Sequence, residues 1–594
     1  MKFYIPFLIS FFLFTDLSAQ AKISEDFESY ADGDLLTIIS SEWKLWPQGT
    51  DASVTSKKAS TGKNSLMLED GKDTDVYLPF KKRFTAGSVQ FSIDLFIPEG
   101  ATGYFSFQGN EVPGVVWSMQ CYLDDNGYFR IDEDGQSKLS NIYPQGKWFT
   151  MSIHVNFKNH LWKFYVDEQC VGSYIQEDKA RQSIASLALY PIGKNERFYV
   201  DNIYLDHRGK SEEVKLKNDA AIAKVVAPNA EFGARSMSVY AGINGTEQPL
   251  ECLIQNMGQK KIKNIELSIE SAGDLSSQKY NLDLEVDADT LLALDRNLVY
   301  RGDLSSTISI LKVNGKIDEN DCNNSIPIQL KGFDLHPEKR VWIEEATGTW
   351  CGWCPRGDVH MSYLSKKYPD HFIGIAVHQN DPMEMLPWMG QAHSRNKKNG
   401  KKLNGLSSFI QGFPTAVIER TESMDPAILE MAFLESASAE PKATITHSVK
   451  WDEKSRTLEI EVTTKLKSPE ENIKLVVGLT EDLVSGTGPT WSQTNYYSNN
   501  LKGTMGGYEL LPGRVPDDEM VYNHVARLLL TPFEGEKLKT SDSNPRNLTI
   551  VKTFKQKIPQ DWKIEHMNVV SSISIGSSEI ENANKSSISE VLKN

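Results

Sequence analysis

Ten residues, Ser88-Val89-Gln90-Phe91-Ser92-Ile93-Asp94-Leu95-Phe96-Ile97, alternate apolar and polar side chains with period two. Successive side chains of an extended strand point to opposite faces, so this run is a half-buried strand of an antiparallel sheet. Similar runs fall at 103–107, 115–123, 148–157 and 162–166, β patterning returns at 262–269, 306–313 and 458–462, and 474–479 is apolar. Helical periodicity is nearly absent from residues 21–207. Such a chain must bury its sheets against one another, and 594 residues are too many for one core. The expectation is a multidomain, mostly β protein.

Composition narrows the function. The formal net charge is −15, and no basic stripe with interleaved aromatics is present, which argues against a nucleic-acid partner. Lys2, the apolar run 3–14 and Leu17-Ser18-Ala19 have the layout of an export signal over residues 1–19. That run is shorter than the about 18 apolar residues a membrane span needs. No later segment is apolar enough to cross, so the mature chain is expected to be soluble or peripherally attached to the envelope. The expected location is the periplasm, the outer membrane or the cell surface.

Residues 21–207 read as a two-sheet jelly roll. Their Ser60-Thr61-Gly62-Lys63-Asn64-Ser65-Leu66 turn and closing Phe198-Tyr199-Val200-Asp201-Asn202-Ile203-Tyr204 resemble concanavalin-type, laminin-G-like sandwiches. That resemblance implies glycan as a candidate ligand, with Trp43, Trp46 and Trp117 either stacking on sugar rings or packed in the core. Residues 208–217 read as a charged linker and 218–334 as a second β domain. Its Cys252 and Cys322 resemble the inter-sheet pair of an immunoglobulin-like sandwich, although no Trp lies between them. A C-terminal β domain is expected over 440–582, with 485–501 as an extended loop and 583–594 as a polar tail.

The chain has six cysteines. Export makes disulfides natural, and the domain layout favours Cys121–Cys170, Cys252–Cys322 and Cys351–Cys354. The alternative for the first four is a set of buried free thiols.

Residues 335–436 change character. Arg340-Val341-Trp342-Ile343-Glu344-Glu345-Ala346 is strand-like and leads through Thr347-Gly348-Thr349-Trp350 into Cys351-Gly352-Trp353-Cys354. Met361, Leu364 and Tyr368 then recur at helical spacing. The apolar run 371–377 and Ala416-Val417-Ile418 after Gly412-Phe413-Pro414-Thr415 read as buried strands, and Asp425-Pro426 opens a further helix. Two cysteines two residues apart at a helix start can close a disulfide across the first turn. The unpaired N–H groups of the helix end favour a thiolate at the N-terminal one, so Cys351 is the expected nucleophile and Cys354 the resolver. A zinc site wants four ligands, and His360, His371 and His378 have no familiar spacing; no metal or cofactor is expected. A purely structural disulfide is the remaining alternative, although so short a loop yields little entropic stabilisation.

This order of elements resembles the thioredoxin fold. The resemblance implies that Pro414 is a cis-proline beside the disulfide, that Phe413 holds an extended substrate backbone beside Gly352 and Trp353, and that Trp350 is the tryptophan before the first cysteine. It also implies that Glu345 is a buried acid relaying the resolving thiol's proton; alternation with Ile343 leaves Glu345 either inward or facing solvent. The run from Glu344 to Pro355, with Tyr522-Asn523-His524-Val525-Ala526-Arg527 and Gly535-Glu536, is similar to the outer-membrane-protein-twenty-eight-related family of exported thioredoxin-like proteins over residues 335–580.

Two features depart from ordinary thioredoxins. An insertion is expected over 379–405, with Met383, Met385, Leu386, Trp388 and Met389 followed by Arg395, Lys397, Lys398, Lys401 and Lys402. Its apolar part is either a client-gripping surface or a cap packed on the core. Too few residues precede Asp425 for the usual last hairpin strand, so a truncated sheet, or one completed by a neighbouring domain, is expected. The leading functional expectation is a thiol–disulfide oxidoreductase acting on extracytoplasmic protein thiols and disulfides. The alternative is a surface or outer-membrane-associated binding or adhesion protein that recognises glycan or protein through its N-terminal sandwich.

Overall fold

The computed structural model describes residues 21–591, apart from 48, 70–73, 111–113, 126, 134–135, 192–196, 211–215, 234–238, 391–404, 411, 501 and 539–547. The expected export signal, the basic stretch from Arg395 to Lys402 and the middle of the expected linker lie outside the described residues. The chain is mostly β, in several packed sheets.

The N-terminal part packs an eight-stranded sheet on a seven-stranded one. The alternating run forms the strand Ser88–Phe96, with Val89, Phe91, Ile93 and Leu95 buried. These meet Phe105, Phe107, Trp162 and Phe164 from other strands in one apolar core. Trp43 belongs to that core at 1% exposure, so it is no sugar-stacking residue. The next part pairs a three-stranded sheet with a five-stranded one around Cys252, Ile254, Leu267 and Ile308.

The expected cysteine pairing fails here. Cys170, on the strand Gln169–Ile175, is bonded to Cys322 in the turn Asp321–Asn323 of the next sandwich. Cys121 and Cys252 are buried free thiols, so neither Cys121–Cys170 nor Cys252–Cys322 exists. The physical reason is register. Cys121 and Cys252 occupy inward positions of alternating strands and are core residues at 0% exposure, whereas Cys170 and Cys322 face each other where the sandwiches meet. Burial pushes both free thiols upward, Cys252 to about 12, which keeps them protonated and inert.

The remaining chain does not divide at 436–440. One nine-stranded sheet runs in the order Glu422–Met424, Thr415–Ile418, Val341–Thr347, Phe372–His378, Val525–Leu529, Ile473–Glu481, Met567–Ile575, Asn582–Ser587, with Glu536–Lys537 beside Ile473–Glu481. The strands Val341–Thr347 and Phe372–His378 are parallel, as are Phe372–His378 and Val525–Leu529, while Thr415–Ile418 runs antiparallel to Val341–Thr347. The hairpin strand expected to be missing is present as Glu422–Met424, and later strands complete the opposite edge. Residues 583–591 are no free tail. They continue the strand Asn582–Ser587 into a short helix with Ile588 fully buried. Asn582 itself ties the edge together, accepting from the Arg340 N–H and donating to the carbonyls of Glu338 and Ala443.

Candidate functional site

Every residue of the strand Val341–Thr347 is buried, because helices and strands cover both faces of the sheet. The strand delivers the chain to Cys351-Gly352-Trp353-Cys354, and Cys354 caps the helix Pro355–Lys367. Cys351 and Cys354 are disulfide-bonded, with Cα atoms 5.4 Å apart. Trp350 Nε1 donates to the Gln379 carbonyl at 2.6 Å, and its ring lies 5.2 Å from that of Phe413. The structure therefore brings together the motif and the Phe413–Pro414 peptide, which is cis.

Chain from far along the sequence covers the motif. Between the strands Ile473–Glu481 and Val525–Leu529 an excursion packs Tyr497, Met505, Tyr508, Val515 and Met520 together with Val359 of the helix. The Thr494 N–H donates to the Thr349 carbonyl at 2.8 Å and the Tyr496 N–H to the Gly352 carbonyl at 2.9 Å. Gln493 Nε2 donates to the Cys351 carbonyl at 2.9 Å, and Thr349 Oγ1 donates to the Thr490 carbonyl at 2.9 Å. A Cβ on Gly352 would run into the Tyr496 ring, and Trp353 meets Tyr496 and Tyr497 edge-on at 5.5 and 5.8 Å. Cys351 is left 5% exposed and Cys354 2%, although Trp350 and Trp353 beside them are 45% and 37% exposed. The stretch expected as an extended loop over 485–501 supplies, in its described part 485–500, much of this cover.

Behind Cys354 lies a polar cavity of about 20 Å³, bordered by Glu345, Asp358, His378, Tyr508, Tyr522 and His524. It has room for one water molecule. Glu345 is buried, with Oε1 unpartnered among the described residues, and a Cβ on Gly357 would sit on that oxygen. Burial, reinforced by the charge of Asp358, holds the Glu345 carboxyl well above its ordinary range. Burial also raises Asp358, against a 3.0 Å hydrogen bond donated by the Tyr508 hydroxyl. Asp381 links His378, at 2.7 Å, to the Thr349 N–H, at 3.0 Å, just before the motif. Asp358 was within reach of sequence reasoning, since four residues after Cys354 it shares a helix face with it. Gln493, Tyr496 and Tyr508 carried no such signal.

The Met-rich segment after His378 is no exposed gripping surface. Met383, Met385, Trp388 and Met389 are buried, and Trp388 Nε1 donates to Glu344. Only Leu386 of that group is exposed.

A second candidate site lies on the outer face of the seven-stranded sheet. Phe105, Phe107, Cys121, Phe129 and Ile131 point inward, so their neighbours along each strand point outward. Register places Arg130 opposite Tyr122, Tyr122 opposite Tyr104, and Tyr190 beyond Tyr104. The Tyr104 ring lies 4.9 Å from Tyr122 and 6.1 Å from Tyr190, and the Arg130 guanidinium sits 4.0 Å over Tyr122. The hydroxyls of Tyr104 and Tyr122 both donate to Gln120 Oε1, at 3.0 and 3.2 Å. Arg130 is neutralised by Asp124 and Asp132. The half-buried Trp46 and Trp117 face each other at 6.4 Å along one border, with Tyr77 edge-on to Trp46.

Residues 408–591 match the family described as outer membrane protein Omp28. The match covers a minority of the chain and begins after the Cys351–Cys354 motif. It fits an exported, outer-membrane-associated or surface protein. Among the described residues no helix is long and apolar enough to cross a membrane. Similar solved structures include a sialidase at 15% identity, covering 31% of this chain and 18% of that chain, with a TM-score of 0.24. The Emp46p carbohydrate recognition domain is 16% identical, covering 29% and 90%, with a TM-score of 0.22. The Caenorhabditis elegans galectin LEC-6 is 9% identical, covering 24% and 96%, with a TM-score of 0.18. No curated protein matches the chain.

Proposed function

We propose that this is an exported surface or outer-membrane-associated binding protein whose N-terminal sandwich takes saccharide on the row Arg130, Tyr122, Tyr104, Tyr190. The observation that carries this reading is the row itself: Tyr122 and the exposed Tyr190 stand edge-on to either side of the buried Tyr104, with an amide and paired charges beside them. Flat rings offer apolar area to the C–H face of a sugar, and a few fixed polar groups orient its hydroxyls. Because Arg130 is already paired with two carboxylates, neutral sugars fit better than acidic ones. A broad glycan array probed with the mature protein, then with Tyr122→Ala and Tyr190→Ala, tests this. Binding by the wild type should weaken about tenfold or more in each variant, a loss of roughly 1.4 kcal/mol, with circular dichroism unchanged. A wild-type protein that binds no glycan across the array defeats the reading.

A second reading, thiol–disulfide exchange on extracytoplasmic proteins, is favoured by a different observation. The strand order Glu422–Met424, Thr415–Ile418, Val341–Thr347, Phe372–His378, with the cysteines at the start of the helix between the last two strands, fits a thioredoxin-like domain. In that reading Cys351 attacks, Cys354 resolves, the buried Glu345 carries the proton, and Trp350, Phe413 and Pro414 border the client groove.

A further inference from the structure

We propose that residues 490–497 are a tethered competitor that occupies, in cis, the backbone edge where a protein client would reach Cys351–Cys354. The inference rests on the thiol–disulfide reading and adds a partner and a control to it. Carbonyl oxygens of Thr349, Cys351 and Gly352 form a row of acceptors on the motif, and an extended segment with free N–H groups is the natural complement to such a row. That complement is already present: Thr494 and Tyr496 supply the N–H groups, Gln493 supplies a side-chain amide, and the Tyr496 ring fills the space left by Gly352. A client that displaces them must therefore be an extended polypeptide carrying an aromatic side chain in the Tyr496 position, next to Trp353. A small thiol needs to displace far less.

The exchange balances as follows. One thiolate of an external dithiol attacks Cys351 Sγ, the Cys351–Cys354 bond breaks, and Cys354 leaves as a thiolate that takes up a proton. The second thiol of the reagent then breaks the mixed disulfide, so the reagent is oxidised to its own disulfide while the protein gains two electrons and two protons.

The test uses the mature full-length protein and two reductants: dithiothreitol, and a reduced protein dithiol bearing its own Cys-x-x-Cys motif. Opening of Cys351–Cys354 is timed by alkylation and mass spectrometry in wild type, Tyr496→Ala, Gln493→Ala and Tyr496→Phe. Loss of one ring or one hydrogen bond of the cover should speed the protein dithiol about tenfold. Dithiothreitol should change little, and Tyr496→Phe, which keeps the ring, should behave as wild type. If the protein dithiol opens the wild type as fast as it opens both Tyr496→Ala and Gln493→Ala, the cover is no competitor, and the exchange reading survives alone. If neither reagent opens the bond in any variant while opening a control disulfide, both the proposal and the exchange reading fall. Gln493→Ala serves where Tyr496→Ala does not fold.

Discussion

The disulfide between Cys170 and Cys322 closes a separation of 152 residues, whereas the one between Cys351 and Cys354 closes a separation of 3. The first sits half-buried where two sandwiches meet, beside Asp219 and the Asn320 and Asn323 amides that donate to it. The second is almost wholly buried, at a helix start, under chain from another part of the fold. The long-range bond removes far more freedom from the unfolded chain and acts as a staple between domains. The short one constrains little, and it lies at a helix start beside the buried carboxyls of Glu345 and Asp358 and under the 493–496 segment. The short-loop bond is the less exposed of the two.

The largest effect should come from the staple. Replacing Cys170 and Cys322 together by Ser should cost about 5 kcal/mol by the chain-entropy relation, seen in urea unfolding of the N-terminal half, and should let the two sandwiches move apart in small-angle scattering. An unchanged midpoint would erase the distinction between the two bonds. Replacing Cys351 and Cys354 together by Ser should cost about 2 kcal/mol by the same relation, and a loss as large as that of the staple would make the short bond structural after all. The smallest effect concerns pH. Glu345 has an ordinary value of 4.5 and a higher one in the folded protein. Between the two, the folded state holds a proton that the unfolded chain has released, so stability falls as pH rises, by about 1.4 kcal/mol per pH unit. Glu345→Gln should flatten that slope above pH 4.5 in unfolding measured across the pH series. An identical slope in the variant would remove the carboxyl from the account of the site.

Much of the local structure was legible because it is written in neighbouring residues. The period-two run at Ser88–Phe96 fixed one core face. The Cys-x-x-Cys placed before a helix followed from spacing, whereas alternation left Glu345 open between the core and solvent, and its burial came from the cover on both faces of the strand. The tryptophans considered for sugar stacking were less legible. Alternation shows that a residue points to one face but not which residues of other strands cover it, and Trp43 proved to be core.

The sequence by itself determined the mostly β character, the export signal as an expectation, and the position of the motif, all of which depend on residues within a few positions of one another. Only the tertiary structure decided that Cys170 bonds Cys322, that residues before 440 and after it share one sheet, and that Tyr496 stands over Gly352. Each of those is a contact between residues far apart in the chain. Local periodicity carries no record of such contacts, because the packing of whole sheets sets them and no spacing along the chain does.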